Sequence, residues 1–200
     1  MRWIGDQARG SFMEKRIVLV ACRIFERELM ATLPPNEDIE VVWIDAALHA
    51  DLPKLEEKLV GELSNGRLVD SEVRLLFGSG CHPDMCRLAR RFGAGLAPVK
   101  NCIEAFCGAR TKELEANRTM VMTPGWIRVW PEIMKALGWD AVDARINLGI
   151  YDRILLMDPG VDPLSEEEIL VFFDVTQVPV EMEVLDLNHF RTTIDKILKF

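Results

Sequence analysis

Short apolar runs rich in β-branched residues alternate along this chain with segments of helical periodicity, and that alternation restricts the fold more than any other feature. Arg16–Ala21 (RIVLVA), Val41–Ile44 (VVWI) and Val73–Phe77 (VRLLF) are too short for helices and read as buried strands. Leu96–Val99, Thr119–Met122, Ile154–Met157 and Val178–Val184 are further strand candidates. Between the first two runs, Ile24, Leu29, Met30 and Leu33 keep helical spacing until Pro34-Pro35 stops it. Asp51 reads as the N-cap of a helix through Leu63, with Leu55, Leu59, Val60 and Leu63 on one face. Helices are also expected from Pro83 through Phe92, from Cys102, over Val129–Leu137, from the Ser165/Glu168 capping box to Phe173, and from Asn188 onward. The alternation predicts an α/β fold: an open, mostly parallel sheet with helices on both faces. In such folds the ligand site lies at the carboxyl ends of the strands.

Length and composition fit one soluble domain. The chain has 200 residues, 49% of them apolar and 28% charged. No apolar run reaches the ~18 residues that span a bilayer, so a membrane protein is not expected. A formal charge of -8 argues against holding nucleic acid by neutralising phosphates. Asp6, Arg9, Glu14 and Lys15 interrupt any signal-peptide core. Residues 1–12 read as a weakly ordered leader and residues 13–200 as a single α/β domain. The expected compartment is the cytoplasm, where thiols stay reduced. Five cysteines, an odd number, then read as metal ligands, reactive thiols or core residues rather than as a disulfide framework.

Four successive strand ends carry cysteine or histidine. Cys22 closes the first strand, His49 follows the second, Cys81 and His82 follow the third, and Cys102 follows the fourth. Thiolates bind zinc or iron–sulfur clusters, and an imidazole completes a tetrahedral zinc site. The candidate ligand set is therefore Cys22, Cys81 and Cys102, with His49 or His82 as the fourth. Cys86 and Cys107 each stand five residues beyond a candidate ligand. That offset is about 500° of helix rotation, so both are expected to be packed core thiols.

Other residues have weaker claims. Gly78 and Gly80 flank a loop of the kind that cradles a cofactor phosphate, and Trp126 could wall a flat cofactor. The third glycine of a dinucleotide fingerprint and the lysine of a P-loop are missing, so a tight turn is the plainer reading. Cys102 also reads as a catalytic nucleophile in a metal-free thiol enzyme, because a helix start and Lys100 two residues earlier both favour thiolate. A non-catalytic ligand- or partner-binding protein with bystander cysteines is the third reading. The residues alone leave all three open.

At these residues the chain resembles domain of unknown function family 1638, found in bacteria and archaea. The resemblance is carried by Val20-Ala21-Cys22, Leu48-His49, Phe77-Gly78-Ser79-Gly80-Cys81-His82-Pro83, Asn101-Cys102, Thr123-Pro124-Gly125-Trp126 and Tyr151-Asp152-Arg153. It covers about residues 16–195. The chain departs from the family's His-Asp-Cys pattern at the third cysteine, where Lys100-Asn101 precede Cys102. Members are often encoded near corrinoid-dependent methyltransferases. The resemblance thus implies a role in corrinoid-linked methyl-group metabolism, with a corrinoid protein or methyltransferase as partner and a corrinoid reached through that partner.

Overall fold

The strands form as all-parallel ladders, divided between two sheets. The computed structural model describes residues 16–35, 38–68 and 70–199; the expected leader over residues 1–12 lies outside them. In the first sheet β1 (Ile17–Cys22), β2 (Ile39–Ile44), β3 (Glu72–Leu76) and the short β4 (Gly95–Leu96) run in the order β2-β1-β3-β4. β1 pairs on both edges, and its residues Val18 to Ala21 are fully buried. An unbroken apolar run is what a central strand with both faces covered requires. The second sheet holds β5 (Thr119–Met122), β6 (Arg153–Asp158) and β7 (Val180–Val184) in chain order, with Ile154 to Met157 of β6 in its core.

Helices connect the strands. α1 (Glu26–Thr32) follows a single 3-10 turn after β1, and α2 (Leu52–Leu63) follows another after β2. α3 (Met85–Arg91) and α4 (Cys102–Cys107) follow β3 and β4, and the short α5 (Thr111–Leu114) leads toward β5. In the second half come α6 (Pro124–Leu137), α7 (Ala141–Leu148), α8 (Glu166–Thr176) and α9 (Asn188–Leu198). α9 returns to the first half, where Phe190 stacks on Phe106 at 4.7 Å and on Phe25 at 5.5 Å. The buried Arg74 side chain of β3 donates to the Ile197 carbonyl at 3.0 Å and fixes the same helix from below.

Of the elements that differ from the sequence expectation, two show why. α6 begins at Pro124, five residues before the expected Val129, because proline is well suited to the first helical position. α7 has no amphipathic stripe, since Val142 and Ile146 are exposed; its signal is the Asp140/Asp143 capping box. Among the described residues, no helix is long and apolar enough to cross a membrane.

The two halves meet where α6 starts. A Cβ at Gly125 would lie 2.9 Å from the Ile24 carbonyl oxygen, so only glycine allows this approach. Gly61 in α2 is exposed and has nothing within 4 Å of a would-be Cβ. Gly125→Ala should therefore destabilise the fold by about 1–3 kcal/mol. Gly61→Ala should stabilise it by about 0.5–1 kcal/mol. Urea unfolding midpoints of the two variants should move in opposite directions.

Candidate functional site

In the first sheet the chain steps from β1 outward to β2, then crosses to the other side for β3 and β4. Strand order thus reverses between β1 and β3, and open α/β sheets bind ligands in the crevice at such a reversal. Cys22 is the last residue of β1, Cys81 lies in the loop after β3, and Cys102 is the first residue of α4. All three line one cavity of about 460 Å³, together with His49, His82, Gly80 and Trp126. Phe77, Phe25 and Leu52 supply apolar wall.

The loop that carries Cys81 is held against the segment before α4. The Ser79 and Gly80 N–H groups donate to the Val99 and Lys100 carbonyls at 2.9 and 2.8 Å, and the Cys81 N–H donates to the Gly78 carbonyl. A Cβ at Gly78 would fall 2.2 Å from the Lys100 oxygen. These glycines thus serve a close backbone approach. The amides that a phosphate would need are already used. Gly80 borders the thiol cavity, whereas Gly78 lies outside its lining.

Cys102 is positioned by two contacts. Asn101 caps α4, its side chain accepting from the Glu104 N–H at 2.8 Å. The Trp126 indole N–H donates to Cys102 Sγ at 3.1 Å. The expected activation of this thiol is reversed in the metal-free protein. Burial pushes its pKa up to about 12, with the Trp126 hydrogen bond opposing and Cys81 adding to the rise. A six-residue helix and a lysine two positions away do not offset desolvation. Cys22 and Cys81 are likewise pushed up, chiefly by burial, and Cys22 also feels the other two thiols.

The two histidines separate. His49 Nδ1 lies 3.0 Å from the Ala46 carbonyl, which can only accept, so Nδ1 carries the hydrogen and Nε2 of the neutral ring keeps its lone pair. The ring is sandwiched against Phe77 and meets Trp126 edge-on at 5.9 Å. Burial holds its pKa below the ordinary value, so it is neutral, as a metal ligand must be. His82 is committed elsewhere. Its Nδ1 accepts the Asp84 N–H at 3.0 Å, and Nε2 lies 3.9 Å from Glu56. His82 therefore shapes the turn, and His49 is the imidazole with a ring nitrogen to offer.

Spacing narrows the chemistry further. Among the described residues, the only three metal-ligating groups with donor atoms all within 4.8 Å are Glu56, His82 and Asp84. Arg87 already pairs with Asp84 at 2.8 Å and stands 3.8 Å from Glu56, so this trio is an ion-pair cluster. The three thiols share a cavity but spread more widely than that. Cys107 is buried as expected, whereas Cys86 is exposed on α3. Its rotation away from Cys81 carries it to the solvent side, not into the core.

Sequence reasoning missed what lies behind the thiols. A second cavity of about 350 Å³ shares His49, Asn101, Cys102 and Trp126 with the first, and the rest of its wall is apolar, Met120, Met122 and Ile133 included. A larger cavity, about 660 Å³, lies between α6 and α8 and has no thiol or histidine on its wall.

Two outcomes follow for reduced, metal-free protein. Iodoacetamide should label the exposed Cys86 first, with Cys22 and Cys102 protected well above the ordinary thiol value of 9.0, as peptide mass spectrometry against pH would read. A thiol whose folded pKa is raised ionises first in the unfolded chain, so its stabilisation is full below the unfolded pKa and is lost as pH rises through the folded one. The urea midpoint should fall from about pH 9 toward pH 12, less steeply in Cys102→Ala.

No curated protein matches the chain. The profile of the family described as protein of unknown function (DUF1638) matches residues 43–194, a span that takes in His49, Cys81, His82, Cys102 and Trp126 and begins after Cys22. With most of its length matched, the chain belongs to the DUF1638 family.

Proposed function

We propose that the chain binds an iron–sulfur cluster through Cys22, Cys81 and Cys102, and that it serves corrinoid-linked methyl-group metabolism as an accessory or catalytic protein. The observation that carries the cluster reading is the donor set with its spacing. Three thiols from three strand ends line one cavity with no carboxylate on its wall. A single zinc ion, with Zn–S near 2.3 Å, draws tetrahedral sulfurs to within ~3.8 Å of one another. The three thiols do not all lie within 4.8 Å, so at least one pair is wider than zinc ligands stand. Sulfurs that bind different irons of one cluster are held further apart, on the order of 6 Å.

The electrostatics support the same reading. Three neighbouring thiols, Cys22 buried and Cys81 and Cys102 half-buried, resist ionisation because of desolvation, and a cationic centre inverts that preference. His49 lines the same cavity, and with Nδ1 held on the Ala46 carbonyl its Nε2 is the available fourth donor. Trp126 orients Cys102 and donates a hydrogen bond to its sulfur. When bound, such a group supplies single electrons at low potential, the need of an oxidised cobalt centre. The corrinoid link itself rests on the company that members of the family keep. The alternative of an activated, metal-free Cys102 loses its support in the raised thiol pKa.

Anaerobic reconstitution with iron and sulfide tests this. The expected result is a broad visible sulfide-to-iron band with matching iron and acid-labile sulfide. Cys22→Ala, Cys81→Ala and Cys102→Ala should each abolish it, and Cys86→Ala and Cys107→Ala should not. Stoichiometric zinc without the band would overturn the cluster. Trp126→Phe should keep the band and lower the reduction potential by roughly tens of millivolts, because a hydrogen bond to sulfur favours the reduced state.

A further inference from the structure

A second crevice opens beside the thiol cavity, and Ile24 borders both. It holds about 390 Å³ and is built from the carboxyl ends of four strands. The turn and helix after β1 supply Arg23, Glu26, Arg27 and Glu28; the segment after β2 supplies Asp45; α6 supplies Arg128 and Glu132; the loop after β6 supplies Asp162. Five carboxylates thus face three guanidiniums. The guanidiniums are taken: Arg23 pairs with Glu26 at 3.1 Å, Arg27 with Asp162 at 3.3 Å, and Arg128 with Asp162 and Glu168 at 2.7 and 2.8 Å. Glu28, Asp45 and Glu132 have no ion pair among the described residues.

Glu28 is the unusual member. It is 4% exposed, yet it lines the crevice, and among the described residues the one donor that reaches its carboxylate is its own backbone N–H. A buried carboxylate left short of donors is costly unless something arrives to satisfy it. Burial holds its pKa above the usual carboxylate range, with Asp162 and Asp158 adding and Arg128 opposing.

We propose that this crevice binds a small organic cation, its ammonium group seated on Glu28 and its hydrocarbon part against Ile24 and Val129. The charge balance disfavours an anion. A metal ion is disfavoured by spacing, since no three of these carboxylates converge within 4.8 Å. The inference does not rest on the thiol-centre reading and stands or falls separately.

Isothermal titration calorimetry of the full chain tests it with n-butylammonium, the neutral isostere n-butanol, and magnesium ion. Butylammonium should bind, butanol should not, and magnesium should not displace the amine. Glu28→Gln should weaken butylammonium binding by about tenfold or more. Glu132→Gln, on the exposed side of α6, should weaken it by a smaller factor and keeps the test open if the first variant does not fold. Absence of butylammonium binding, equal binding of butanol, displacement by magnesium, or unchanged affinity in a folded Glu28→Gln variant would overturn the proposal.

Discussion

The contact between Gly125 and the Ile24 carbonyl is the constraint on which the rest of the site depends. It seats the start of α6, which belongs to the second half, directly on the turn that follows β1. Trp126 is the next residue, and the seat brings its indole to Cys102 and His49. The same contact leaves Ile24 as the divider between the thiol cavity and the charged crevice. A side chain at position 125 would disturb both chambers together, although Gly125 touches no thiol.

The thiol cavity shows how one environment sets opposite demands. Apolar walls from Phe77, Phe25 and Leu52 protect the sulfurs and make their ionisation expensive. Side-chain hydrogen bonds orient three groups of the site: Trp126 donates to Cys102 Sγ, His49 to the Ala46 carbonyl, and the Asp84 N–H to His82. Each fixes a donor's direction without neutralising the cost of burial. The thiols of the site are therefore held protonated above the ordinary thiol range.

Much of this was legible in the sequence, for local reasons. Cys22 ends the β-branched run of β1 and Cys81 stands four residues after Phe77 at the end of an apolar run, so their place at strand ends could be read from neighbours a few residues away. The Ser165/Glu168 box, likewise local, marks the start of α8 as expected. What escaped depends on distant partners. The break between β4 and β5 into separate sheets is a matter of which strand pairs with which, and Met120 to Met122 carry no mark of it. Lys100 and a helix start suggested a reactive Cys102; the burial that dominates is set by the fold around it, and the hydrogen bond that opposes it comes from Trp126, 24 positions on. His49 and His82 look alike in sequence, and only the backbone groups each one meets tell them apart. α7 was hidden because two of its apolar residues, Val142 and Ile146, face outward while Ala144 and Leu148 are buried.

The bond from Trp126 to Cys102 gives the molecule an optical property. Indole emission is quenched by a sulfur in direct contact, to a degree that depends on whether the sulfur is protonated, ionised or bonded. Trp126 is one of five tryptophans, and its nitrogen rests 3.1 Å from a cysteine sulfur. Any event at that sulfur therefore changes the colour or yield of one identifiable fluorophore. The cavity carries its own reporter, supplied by the half of the chain that does not contribute the thiols.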